Sequence, residues 1–107
     1  MFNLPLPKYQ KLNNSIKIIN NEKTLHFETS LNNGESAFIE YRWSKGNLVL
    51  MHTFVPEGFE GKGIAAALAK FALEYAKEKQ LKVVVYCPYV NAYLKKHPAY
   101  QVMVVKN

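Results

Sequence analysis

The chain has a single cysteine, Cys87, which excludes an intramolecular disulfide, and no group of cysteines and histidines has the spacing of a zinc site. With neither staple of a small secreted domain to hand, a reducing cytoplasm is the expected compartment. Long apolar runs are missing too, so no stretch reaches the length of a membrane span. Met1 to Asn14 lacks the basic start, apolar run and small-residue cleavage site of a signal peptide. Acidic residues are scarce. Eight Asp and Glu against 14 Lys and Arg leave a formal charge of +6, which favours an anionic partner such as nucleic acid, acidic lipid or a phosphorylated cofactor, and serves equally as a solvated basic surface. No basic run or aromatic-basic motif makes that charge a nucleic-acid signature. The expected partners are therefore small molecules, without nucleic acid or membrane, on a monomer or weak dimer.

The 107 residues are 49% hydrophobic and 13% aromatic, enough to fold around one core rather than remain disordered. Residues 1–14, with prolines at 5 and 7 and no periodicity, read as an irregular arm, and residues 15–107 as one domain. Lys23 to Leu31 alternates, with Leu25, Phe27, Thr29 and Leu31 on one side, as a half-buried strand does. After the turn Asn32-Asn33-Gly34, Glu35 to Trp43 alternates again, so the two pair as an antiparallel hairpin. A second turn, Ser44 to Asn47, leads to Leu48 to Val55, whose continuous apolar character predicts a central strand covered on both faces.

Pro56, Gly58, Gly61 and Gly63 then make a loop. The helix expected from Ile64 to Lys79 carries an apolar stripe at Ile64, Leu68, Phe71, Ala72 and Tyr75. Lys82 to Cys87 is β-branched and reads as a second central strand, parallel to the first through a right-handed crossover. Pro88 opens a short helix to Lys96, His97-Pro98 stops it, and Val102 to Val105 is expected as an edge strand.

Chemistry concentrates in Phe59-Glu60-Gly61-Lys62-Gly63-Ile64-Ala65. Two glycines and a lysine stand at the start of an amphipathic helix, where unpaired N–H groups and the positive end of the helix dipole favour an anion. The same glycines also serve simply to turn the chain. The spacing is neither that of a Walker loop nor that of the dinucleotide fingerprint.

These residues resemble the GNAT superfamily of N-acetyltransferases, whose Q/R-x-x-G-x-G/A motif lies between a strand and a helix. Glu60-Gly61-Lys62-Gly63-Ile64-Ala65 matches its last three constraints, and Val55-Pro56-Glu57 resembles the family's lead-in. Glu60 departs from the expected Gln or Arg: it suits the helix dipole but repels a pyrophosphate if it points at one. Cys87 to Pro98 adds a likeness to the short GNAT-related subgroup labelled YjdJ-type or N-acetyltransferase domain-containing. The resemblance implies an α+β, GNAT-like fold: an antiparallel hairpin joined to a central parallel βαβ unit, with one long helix and a short C-terminal one. It implies acetyl-CoA as cofactor, CoA as product, and transfer to an amine of unknown identity. The chain is too short for the extra helices and strands of larger relatives, so a small or exposed amine is expected. The alternative is a non-catalytic CoA-binding or interaction module that keeps the core.

The resemblance also distributes roles. Glu60, Gly61, Lys62, Gly63, Ile64 and Ala65 hold the diphosphate, backbone groups of Thr53, Phe54 and Val55 receive the pantetheine arm, and Phe54 or Val55 N–H supports the oxyanion. Cys87 is a nucleophile or proton donor by likeness to the subgroup, and by its residue type it is equally a small buried hydrophobe. Tyr89 and Tyr93 are the phenols nearest the expected thiolate, with Tyr93 taken as the candidate acid or else an aromatic that packs its helix. His52 is a candidate base or a hydrogen-bonded structural residue.

Overall fold

Turn chemistry sets the sheet. The computed structural model describes residues 16–106, so the irregular arm lies outside the described residues. Strand β1 (Ile19–Asn21) precedes β2 (His26–Ser30), and Asn21 separates them: its side-chain oxygen accepts from Lys23 N (3.2 Å) and Thr24 N (3.4 Å), and Leu25 sits at φ 60°. An Asx-type turn therefore occupies the residues expected to begin a strand at Lys23. Glu28 and Phe27 pair back to Ile19 and Asn20, a three-residue strand too short to show alternation in the sequence.

The two hairpins form as their turns predict. Leu31 and Glu35 close the first, with Leu31 N donating to Glu35 O at 2.8 Å and Asn33 accepting from Glu35 N. β3 (Ser36–Ser44) pairs with β2 from His26↔Glu40 to Ser30↔Ser36. Lys45 (φ 54°) and Gly46 (φ 80°) both take left-handed backbone, which suits a two-residue hairpin turn into β4 (Asn47–Phe54). Among the described residues the sheet has five strands in the order β1-β2-β3-β4-β5, antiparallel except for β4 beside β5 (Val83–Val85).

Helix α1 (Ile64–Glu78) covers one face of this sheet. Leu68, Ala69, Ala72, Leu73 and Ala76 are buried against Phe27, Ala37, Ile39, Tyr41, Leu48 and Leu50. The alanines let the helix axis approach the strands closely, while Phe71 and Tyr75, on the flank of the stripe, close over the Phe27 ring. Helix α2 (Pro88–Lys96), opened by its proline as expected, packs Val90 and Leu94 against β4, β5 and α1.

Three expectations are corrected. β4 is covered on both faces only over Leu48 to Leu50; from Met51 onward it is largely open. β5 is an edge strand rather than a central one, because the chain turns into α2 at Pro88 and leaves only three residues to pair. Residues expected as a last strand instead form a 3-10 helix (Pro98–Met103), and only Val104 reaches back to bridge Val83.

Candidate functional site

Two backbone features make the site. The first is an irregularity in β4. Tyr41 pairs with Leu50 and Glu40 with His52, so Met51 is an extra residue, and such a bulge bends its strand. The ladder to β5 ends at Leu50↔Val85, and Tyr86 N and Cys87 N both turn to Leu50 O. Beyond that point His52 to Phe54 are paired on the β3 side alone, and the two parallel strands part.

The second feature is the entry to α1. Gly61 (φ 79°) and Gly63 (φ 82°) occupy backbone that disfavours side chains, and Gly63 is the N-cap residue. No side chain caps the helix, and no acid lies in its first turn. Its first N–H groups are thus unclaimed by a capping side chain and lie at the positive end of the dipole.

A cleft of about 570 Å³ joins the two features, lined by Thr53, Phe54, Val55, Phe59, Glu60, Gly61, Gly63, Ile64, Ala65, Ala66 and Tyr89. Its floor is the parted edge of β4 and its rim the glycine loop. All the residues expected to hold the cofactor line it except Lys62, which is exposed on the loop.

The pattern that defines the family described as GCN5-related N-acetyl-transferase matches residues 26–103. The chain belongs to this family. Protein NATD1 from Xenopus tropicalis is 36% identical over 86 residues, covering 78% of this chain and 79% of the relative. The human protein of the same name is 34% identical over 85 residues, covering 78% and 75%. A GCN5-like protein from Staphylococcus aureus, whose solution structure is known, superimposes with a TM-score of 0.65 at 27% identity, over 85% of this chain and 89% of that one.

Within this GNAT domain the candidate catalytic side chains are not brought together. Cys87 caps the start of α2 and is 1% exposed, with its Sγ 3.0 Å from Thr53 Oγ1. The thiol therefore stands behind the cleft wall, with Thr53 between it and the opening. Of the two roles its sequence left open, the buried one describes where it is. Tyr93 is not among the residues that line the cleft: its ring stacks on His97 at 4.1 Å and lies 6.5 Å from Tyr100, whose hydroxyl donates to Glu74 at 2.6 Å. His52 is exposed on the sheet face opposite α1, in register with Glu40.

Tyr89 is the phenol at the cleft, one turn before Tyr93 on α2 and 38% exposed. Burial raises its pKa above the usual tyrosine value, so the hydroxyl keeps its proton across the neutral range. Phe59 and Ala66 are further lining residues that motif spacing did not single out; the apolar residue inside the loop was the available signal for Phe59.

Proposed function

We propose that the chain is an acetyl-CoA-dependent N-acetyltransferase of the cytoplasm, acting on a small or exposed amine. The observation that carries this reading is the uncapped start of α1, framed by two left-handed glycines and opening on the cleft that runs to the parted strands. The donor set fits the cofactor's chemistry. Backbone N–H groups at Gly63 to Ala66 suit a diphosphate, Lys62 adds a mobile cation, and the unpaired edge of Thr53 to Val55 suits the amides of a pantetheine arm.

When bound, acetyl-CoA supplies a thioester whose carbonyl carbon forms a bond to the amine nitrogen as its C–S bond breaks, the amine losing a proton and the thiolate gaining one. The chain's part is to align that reaction. An N–H of Phe54 or Val55 is placed to donate to oxygen where negative charge develops. Tyr89 Oη holds a proton for the leaving sulfur, and His52 or water takes the one the amine loses. Glu60 lines the same cleft, and its charge opposes the diphosphate; this favours, as the second reading, a module that keeps the core and binds CoA weakly.

CoA titrated into the labelled protein is expected to move the Gly61 to Ala66 amide resonances, and still amides at millimolar ligand overturn the reading. Gly63→Val supplies the matching loss. A β-branched residue resists φ near 82°, so the loop must shift or stay strained and its N–H groups leave their positions. The dissociation constant for CoA is expected to rise about thirtyfold, equivalent to one or two charge-assisted hydrogen bonds, with the far-UV circular dichroism unchanged.

A further inference from the structure

The sheet face turned away from α1 carries an ordered set of side chains that neither the core nor the cleft accounts for. Pairing places His26, Glu40 and His52 in one row across β2, β3 and β4, and Glu28, Phe38 and Phe54 in the next. Alternation sends all six to the face opposite Phe27, Ile39 and Thr53. The Phe38 ring stacks on His26 with centroids 4.0 Å apart and planes 4° from parallel, and its centroid lies 5.5 Å from that of Phe54. Phe54 is 41% exposed and also borders the cleft, so the strip begins where the parted strands open.

The charges run outward from that point. Glu40 is one strand in from β4 and Glu28 two, at about 5 and about 10 Å from β4 by the ordinary spacing of strands. Glu40 binds Arg42 through Oε2. Glu28 accepts from Asn21 Nδ2 at 3.0 Å and lies 3.6 Å from His26 Nδ1. A carboxylate has about four lone-pair sites, so neither is saturated by these contacts. On a chain whose net charge is +6, the two rows hold two carboxylates, one of them already paired with the Arg42 guanidinium and the other in contact with Asn21 and His26 rather than with a Lys or Arg among the described residues.

We infer that this strip binds the distal cationic end of the acceptor, making the substrate class di- and polyamines, or chains that carry an ammonium beyond the reacting nitrogen. The inference rests on the acetyltransferase reading and gives it a specificity. Ring faces and carboxylates both attract an ammonium, and a carboxylate holds the proton on it. A reacting amine must instead be neutral. Setting the carboxylates one and two strands back from the parted edge keeps the proton on the distal nitrogen and leaves the nearer one free to lose its own. The propane and butane spacers of spermidine suit that separation.

The test titrates spermidine, butylamine and glutamate into the full labelled chain, with and without CoA. Spermidine is expected to move amides of residues 26–28, 38–40 and 52–54, with butylamine at least about fivefold weaker and glutamate without effect. Glu40→Gln, a change outside the cleft, is expected to raise the spermidine constant about fivefold and leave that for CoA unchanged. Equal binding of butylamine and spermidine, or shifts confined to the Glu57–Glu60 and Glu74–Glu78 segments, overturns the inference. If CoA binds and the strip stays silent, the inference falls while the transferase reading stands. If the strip binds spermidine and CoA leaves the Gly61 to Ala66 amides unmoved, the transferase reading falls and takes the acceptor role with it.

Discussion

Tyr89→Phe is expected to lower kcat for acetyl transfer about a hundredfold, the lower end of what a positioned general acid contributes, with the dissociation constant for CoA nearly unchanged. The ring stays, so the cleft wall stays; only the hydroxyl proton is lost. Burial holds that proton on the phenol across the neutral range, so its loss cannot be hidden by partial ionisation of the wild type. Tyr93→Phe is the control. Its ring packs on His97 and Tyr100 rather than on the cleft, and the change is expected to leave kcat within about twofold. Measurement of CoA thiol release under saturating substrates decides the matter. A Tyr93→Phe loss equal to that of Tyr89→Phe would remove the assignment of the acid to Tyr89.

That pair of tyrosines also marks where sequence reasoning reaches its limit. Residues 89 and 93 are four apart on one helix, so periodicity puts them on the same side. What separates them is height along α2: the first turn meets the parted edge of β4, and the second meets the 3-10 helix. Height depends on where β5 ends, and β5 ends after three residues because Pro88 starts a helix. The valine run could not show this, since a buried strand and an edge strand protected by a single bridge at Val104 have the same composition. The bulge at Met51 left no mark either, because an extra residue inside an apolar run does not alter its hydropathy.

Other parts were legible because local chemistry dictates them. Left-handed positions at Gly34, Gly46, Gly61 and Gly63 fall where the sequence signals turns and a helix entry, and the alternation of Phe27, Thr29, Ala37, Ile39 and Tyr41 holds as the helix-facing side, while Trp43, expected in the same row, is 47% exposed. The glycine loop needed only its own residues and a following amphipathic helix. β1 failed the same test: no strand was expected before Lys23, and Asn21 captures the N–H groups of Lys23 and Thr24, so the strand expected from Lys23 begins only at His26. Cys87 was undecidable by type, and its position behind Thr53 is a tertiary fact.

Phe27→Ala is expected to cost about 3–5 kcal/mol, a large share of the roughly 5–15 kcal/mol that holds a domain of this size together. Phe27 is fully buried in β2 and joins both layers of the fold. Its ring stacks on Tyr41 at 4.5 Å within the sheet and meets Phe71 at 5.6 Å and Tyr75 at 5.2 Å on α1. Truncation empties the space where helix and sheet lock, and three large rings cannot all collapse into it without leaving their rotamers. Thermal unfolding is expected near 20 °C lower, given several degrees per kcal/mol at this length. Phe27→Leu, which keeps most of the volume, should lose less than half as much. The same variant separates fold from site, because the uncapped start of α1 lies beyond this cluster. At a temperature where Phe27→Ala is still folded, its CoA affinity should match the wild type within about twofold, and the apparent loss on warming should follow the unfolded fraction alone. A large loss of CoA affinity in the folded variant would mean that the cluster sets the position of the glycine loop as well as the stability of the domain.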